Sequence, residues 1–419
     1  MNVLVFNGPG VSQTSLAHTL YSLRTLLRSN YAVETVSASA LASQPWAPSC
    51  ALLVLPGGRD VPYVSALAAA NDSIKSYVQK GGSFLGLCAG AYYASRRVEW
   101  EVGADMQVVG DRPFGFYLGT SEGCVYKGFE YQTEAGARAL IAETTEALDG
   151  APNLLRGVYY NGGGHFVGAD ELGKQGIVPL MRYTEGDGAN KVAAVWCSID
   201  KGIVVLSHLH LEYPLSFEPA ASALTRAFPT LSDSEKASMD AARREALRSF
   251  LRLLGLRLPN RTNEPQNPSV PLPQILAAST SIAYVGKAFI DRLEPDVSKT
   301  SHIVAYKSLQ DQNDTFRIYD SPQCIGDLIS EARRDSFEGS ELPNSFPKSI
   351  LVCREGQLPL PNDTPLFNVS HYFEALSARY RTSSGSTGRS PPSHKIGEVL
   401  LYGELVTSTQ TLLDKYAPR

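Results

Sequence analysis

The stretch Gly81-Gly82-Ser83-Phe84-Leu85-Gly86-Leu87-Cys88-Ala89-Gly90-Ala91 constrains this chain more than any other. Ser83 to Leu87 reads as the end of a buried strand, and Cys88 follows at once between Gly86 and Gly90. The pattern is G-x-C-x-G, the cysteine counterpart of the nucleophile elbow, in which a strand turns sharply into a helix. A side chain held on so strained a turn needs neighbours without bulk, so that backbones pass closely and a substrate can approach. A helix opening at Ala89 would set its positive end beside the sulfur, which favours a thiolate. Taken alone, the stretch also fits a buried core cysteine.

The segments around it supply a frame for an elbow. Asn2 to Phe6 is a short apolar run ending in the turn cluster Asn7-Gly8-Pro9-Gly10. Ser15 to Leu27 carries Leu16, Leu20, Leu23 and Leu27 at helical spacing. Ala32–Val36 and the continuous apolar run Ala51–Leu55 read as strands, and Ser73–Gln79 as a helix. This alternation predicts an α/β fold, a mostly parallel sheet flanked by helices with right-handed crossovers. In such sheets sites form beyond the C-terminal ends of the strands.

Two further strand ends therefore matter. Pro56-Gly57-Gly58-Arg59-Asp60 follows the third strand, and its glycines can turn backbone N–H groups toward a common point, as an oxyanion hole requires. A plain turn is the alternative. Gly202 to Pro214 is a buried strand running out into His208, His210 and Glu212. Two-residue spacing in extended chain puts all three on one face. A cysteine nucleophile needs a base within hydrogen-bond reach and a third group to orient it, and His-x-Glu supplies both. The alternative is polar decoration of a loop, above all for His208. Tyr159-Tyr160-Asn161-Gly162-Gly163-Gly164-His165 reads as a flexible loop near the site, with His165 as a ligand-facing candidate. A three-histidine metal site from His165, His208 and His210 lacks an acidic partner at zinc spacing, so no metal is expected.

Pro56-Gly57-Gly58, Gly86-Leu87-Cys88-Ala89-Gly90 and His210-Leu211-Glu212, in that order, resemble the class I glutamine amidotransferases, whose fold is flavodoxin-like. The resemblance implies Cys88 as nucleophile, His210 as base, Glu212 as orienting acid, and Gly58 with Ala89 as the oxyanion hole. Gly57, His165 and His208 would be pocket candidates. Leu211 stands where that family usually has proline, and the extra His208 leaves two candidates for the base. Asn7-Gly8-Pro9-Gly10, Gly86 to Tyr92 and Tyr160 to Gly164 look more closely like the amidotransferase-like N-terminal domain of fungal biotin–protein ligases. Leu401 to Leu413 is similar to the opening of the ligase catalytic domain, where Ser408, Thr409 and Gln410 would meet biotin.

That resemblance implies ATP, biotin and Mg for the complete ligase, none of them bound by this chain, and biotin carboxyl-carrier domains of carboxylases as partners. The Gly-Arg-Gly-Arg type loop and the Lys-Trp-Pro-Asn type strand of that catalytic domain do not occur in these residues. A cysteine-dependent amidohydrolase or glutaminase using Cys88, and a non-catalytic regulatory or interaction module on the same fold, are the two alternatives from other classes.

Composition bounds the rest. At 419 residues the chain has room for two or three domains. We expect an amidotransferase-like domain over 1–256, a Pro/Asn-rich linker over 257–275 and a small α+β region over 276–379. A Ser/Gly-rich flexible tether over 380–395 and the truncated start of a ligase catalytic domain over 396–419 follow. Ser232-Asp233-Ser234-Glu235 is a capping box, with Met239, Ala242, Ala246, Phe250 and Leu253 at helical spacing behind it. Within the α+β region Ile275–Ala278 reads as a helical start, and His302–Tyr306, Phe316–Tyr319 and Ser349–Cys353 as strands. A net charge of −4 argues against a nucleic-acid surface spread along the chain. The six scattered cysteines form no C-x-x-C pair, which points to a reducing, cytoplasmic setting. Neither a signal peptide nor a bilayer-spanning run is expected.

Overall fold

A computed structural model describes residues 1–27, 30–259, 273–292, 299–300, 305–310, 315–320, 348–353, 357–384 and 396–403. They fall into two compact units, the first from the described residues up to 259 and the second from those beyond 273.

The first unit runs β1 (Asn2–Phe6), α1 (Gln13–Leu27), β2 (Ala32–Val36), α2 (Ala38–Ser43), β3 (Cys50–Leu55), α3 (Asp60–Ala66), α4 (Asn71–Gln79), β4 (Ser83–Leu87) and α5 (Ala89–Ala94). It continues through β5 (Ser95–Trp100), β6 (Val108–Asp111), β7 (Tyr117–Gly123), β8 (Arg138–Thr144), β9 (Leu154–Tyr160) and β10 (His165–Val167). It closes with β11 (Ile177–Tyr183), β12 (Val192–Ile199), β13 (Gly202–Ser207), α6 (Ala220–Ala227) and α7 (Asp233–Leu253). Nine strands form one sheet in the order β2-β1-β3-β4-β13-β12-β11-β8-β9. The first five are parallel and the last four are added antiparallel. A second sheet has the order β10-β7-β5-β6.

Alternation along the central strands explains the layers. Val3, Val5, Leu52, Val54, Leu85 and Leu87 join one buried cluster, with Leu16, Leu20, Leu23 and Leu27 of α1 and Ala246, Leu247 and Phe250 of α7. Leu4, Phe6, Leu53, Leu55 and Phe84 point the other way, into a cluster with Tyr63, Ile74, Val78 and Tyr93 from α3, α4 and α5. Each strand is thus covered on both faces, as its unbroken apolar sequence requires. The capping box forms as expected: Ser232 Oγ accepts from Glu235 N–H, and the Glu235 carboxylate accepts from Ser232 N–H.

Among its described residues the second unit has a six-stranded sheet of order β15-β16-β17-β18-β14-β19, where β14 is Gln274–Ala278, β15 Lys299–Thr300, β16 Ala305–Gln310, β17 Thr315–Tyr319, β18 Lys348–Val352 and β19 Val399–Tyr402. It carries α8 (Tyr284–Arg292) and α9 (Val369–Ser384). Ile275–Ala278 is therefore strand rather than the start of a helix, paired parallel to β18 and antiparallel to β19. So short an apolar run has no period to read, and its neighbours in the sheet decided it. Helix α9 runs on through Ser384, into the stretch expected to be a tether. Cys324 and Ser408, Thr409 and Gln410 lie outside the described residues, as do 385–395 and 404–419. No helix among the described residues is long and apolar enough to cross a membrane.

Candidate active site

Strands β3, β4 and β13 lie side by side and parallel, so their C-terminal ends release Gly57-Gly58, Cys88 and the His208–Glu212 segment at one edge of the sheet. Cys88 sits at φ 47°, ψ −103°, a backbone state that residues with a Cβ seldom adopt. The turn is pinned by Cys88 N–H donating to Ser207 O at 2.8 Å and by Tyr92 N–H donating to Cys88 O at 2.9 Å. The flanking glycines serve close approach: a Cβ on Gly90 would fall 2.1 Å from Leu55 O, and one on Gly86 would fall 2.8 Å from Gly90 O. The elbow is held by packing from both sides.

After Ser207 the chain bends, because the Ser207 hydroxyl donates to Leu209 O at 2.7 Å and accepts from Leu209 N–H at 3.2 Å. His208 and His210 consequently part company, contrary to the shared face expected of extended chain. His210 N–H donates to Tyr159 O at 3.1 Å, and its Nδ1 lies 2.7 Å from Glu212 Oε1. The Cys88 sulfur is the other charged neighbour of its ring. The sulfur lies 4.0 Å from Asn161 O. Both His210 and Glu212 are buried. Burial opposes an imidazolium, but the Glu212 carboxylate and the neighbouring Cys88 outweigh it and raise the His210 pKa to about 10.

His208 has the opposite fate. Ser95 Oγ donates to Ala91 O and so accepts from Ser121, which leaves Ser121 Oγ to accept from His208 Nε2 at 3.1 Å. The ring packs between Tyr92 and Phe166, with centroids 4.4 and 4.5 Å away. Burial, with His165 and His210 nearby, pushes its pKa well below the ordinary value, so it is neutral. His165 Nδ1–H donates to Glu122 O at 3.1 Å. Neither bonds Cys88. Among the described residues no three His, Cys, Asp or Glu side chains are gathered as a metal would need.

The oxyanion candidates have suitable backbones. Gly58 sits at φ +149° and pairs with Val11 in an antiparallel bridge whose bonds run from Ser12 N–H to Gly57 O and from Arg59 N–H to Gly10 O. In that pattern the Gly58 N–H turns away from residues 10–12. Ala89 opens α5, where the first N–H groups have no partner within the helix. A Cβ on Gly57 would fall 3.1 Å from His210 Cε1 and 2.8 Å from Ser15 Oγ, which places the turn against the histidine.

Several residues around the pair have no motif of their own. Ser15 of α1 accepts from Gly57 N–H at 2.9 Å. Tyr213 stacks between His18 and Tyr159, centroids 4.0 and 4.6 Å away, and meets His210 edge-on at 4.9 Å. Helical periodicity marks Ser15 and His18 only as lying on a buried stripe; their task depends on what the fold brings opposite. The expected flexible loop is a strand end and a packed turn. Tyr159 and Tyr160 belong to β9, while the carbonyls of Gly162, Gly163 and Gly164 accept from Tyr92, Tyr160 and Tyr183 hydroxyls at 3.2, 2.7 and 2.7 Å. Three glycines suggested mobility, but here they admit close tyrosines.

The sequence profile of the family described as "Biotin-protein ligase, N terminal" matches residues 1–278. The chain belongs to that family. This biotin-protein ligase N-terminal match covers the first unit and β14 of the second. A protein of Schizosaccharomyces pombe named "Biotin--protein ligase" is 35% identical over 272 residues, 64% of this chain and 40% of the relative. The chain thus spans well under half the length of that ligase. An uncharacterized protein of Chlamydia muridarum is 32% identical over 215 residues, 50% of this chain and 80% of the relative. Among solved structures, a glutamine amidotransferase from Thermotoga maritima aligns with a TM-score of 0.36 at 12% identity, covering 61% of this chain and 99% of that one.

The raised pKa of His210 has a consequence for stability. A histidine whose folded pKa exceeds its unfolded value stabilises fully below the unfolded value, near 6.5, and loses that contribution as pH rises toward about 10. The first unit should therefore be less stable at pH 10 than at pH 8.5. Urea unfolding at the two pH values checks this, and Glu212→Gln should flatten the slope.

Proposed function

We propose that this chain is the N-terminal portion of a biotin–protein ligase and that its first unit carries a cysteine-dependent acyl-transfer site acting on an amide. The buried Cys88–His210–Glu212 series at the ends of neighbouring parallel strands carries the second part. In this reading the Cys88 thiolate attacks the amide carbon, a C–S bond forms, and the carbonyl electron pair moves onto oxygen. The Gly58 and Ala89 N–H groups meet that oxyanion. As the tetrahedral species collapses, the C–N bond breaks and the leaving amine takes a proton from the His210 imidazolium. A thioester remains on Cys88. Neutral His210 then takes a proton from water as the water attacks the thioester, releasing the acid and restoring thiolate and imidazolium. Glu212 holds the ring and its charge throughout.

The Chlamydia relative, of which the aligned stretch fills 80%, supports a task for the family's fold apart from biotin transfer. Ammonia release from glutamine and a panel of primary amides, with Cys88→Ser in parallel, tests the reading. Turnover of at least one amide that vanishes in Cys88→Ser is expected. Silence across the panel together with unchanged partner binding in Cys88→Ser would instead favour an interaction module.

In the complete enzyme, ATP, biotin and Mg would meet in the catalytic domain, and carboxylase carrier domains in the cytoplasm would receive the biotin. The glycine- and arginine-rich loop that gathers phosphates there is not among these 419 residues. Incubated with ATP, labelled biotin and a carrier domain, this chain alone should leave the carrier at background. Labelling above background would contradict that expectation.

A further inference from the structure

The His210–Glu212 contact lies beyond the end of β13, so the sheet ladder does not fix it; its own backbone tie to a strand is His210 N–H to Tyr159 O. Two helices do the rest. From α1, Ser22 Oγ donates to Glu212 O at 2.6 Å. From α7, Arg243 Nη1 donates to Leu211 O, the carbonyl between base and acid. Asp240, one turn earlier, accepts from Arg243 Nε at 2.8 Å and from Leu215 N–H at 2.9 Å. Arg243 is only 2% exposed. A guanidinium so deeply buried costs several kcal/mol in desolvation, and attachment of α7 alone is served more cheaply by the apolar face formed by Ala246, Leu247 and Phe250. What the arginine adds is direction, because its planar fork reaches a carboxylate and a carbonyl at once.

We propose that Arg243, braced by Asp240, and Ser22 are positioning residues that fix the Leu211 and Glu212 carbonyls, so that His210 faces Cys88 and Glu212 together. The inference rests on the roles proposed above for Cys88, His210 and Glu212. A 1 Å displacement of such a pair costs up to about a hundredfold in rate, whereas the same displacement in ordinary packing changes no chemistry.

The test uses the full chain with Ser22→Ala, Arg243→Met, Arg243→Lys and His210→Ala. Two quantities are read: the rate of Cys88 carbamidomethylation at neutral pH, by peptide mass spectrometry, and the titration midpoint of the His210 ring proton, by NMR. Arg243→Met should slow Cys88 about tenfold and lower the His210 midpoint by at least about one pH unit, with circular dichroism unchanged. Arg243→Lys should recover part of both, and Ser22→Ala should slow Cys88 severalfold. If Arg243→Met does not fold, Ser22→Ala and Arg243→Lys decide. Wild-type rates and midpoints in the folded variants, with His210→Ala still slow, would overturn this inference alone. An unchanged Cys88 rate in His210→Ala would overturn the site reading and this inference with it.

Discussion

Replacing His210 with alanine should slow alkylation of Cys88 by about tenfold or more at neutral pH. A thiol without a cationic partner is only a few per cent thiolate there, while an imidazolium within hydrogen-bond reach keeps the reactive form populated. His210 is the residue placed to do this, since it has Cys88 as a neighbour and is bonded to Glu212 through Nδ1. His208→Ala should leave the rate within about twofold, although it opens a cavity between Tyr92 and Phe166 and should cost about 2–3 kcal/mol of stability. Glu212→Gln should fall between the two, because the ring keeps a neighbour but loses its counter-charge. Time-resolved mass spectrometry of the Cys88 peptide measures all three. The reverse order, with His208→Ala slow and His210→Ala fast, would move the base to His208.

Gly90→Ala should be among the most damaging single methyl additions in the first unit. Its Cβ would fall 2.1 Å from Leu55 O and 2.8 Å from Leu55 C, both backbone atoms of a central strand that no rotamer change can move. Relief requires shifting β3 or the elbow itself, and about 3 kcal/mol or more is the expected cost. Gly173→Ala, where an added Cβ meets nothing within 4 Å, is the control and should stay within about 0.5 kcal/mol. Urea midpoints of the two variants compare them directly. Comparable midpoints would mean that the elbow yields more easily than its contacts indicate.

Much of the candidate site was legible because its residues sit where strands end. Gly57-Gly58, Cys88 and His210-Leu211-Glu212 each follow an apolar run, and a parallel sheet gathers such ends without further instruction. The stripe of Leu16, Leu20, Leu23 and Leu27 likewise found the buried face of α1. What was not legible depends on partners remote in sequence. Ser22 and Arg243 are 190 and 32 residues from the carbonyls they hold, and nothing local in either helix announces that contact. The bend at Ser207 was missed for a different reason. A serine closing onto its own backbone two residues on competes with the extended chain, and alternation alone does not register it. Ile275–Ala278 was too short to declare its period.

Limited labelling of the wild-type chain with iodoacetamide at about pH 6.5, with each cysteine peptide quantified, tests the central claim most directly. Burial pushes the Cys50 and Cys353 thiols up to about 11 and raises Cys124 and Cys197 further. An ordinary free thiol is only about 1% ionised at that pH. Cys88 should therefore be modified well ahead of Cys50, Cys124, Cys197 and Cys353. Faster modification of any of these four in the folded protein would contradict its assignment as the nucleophile.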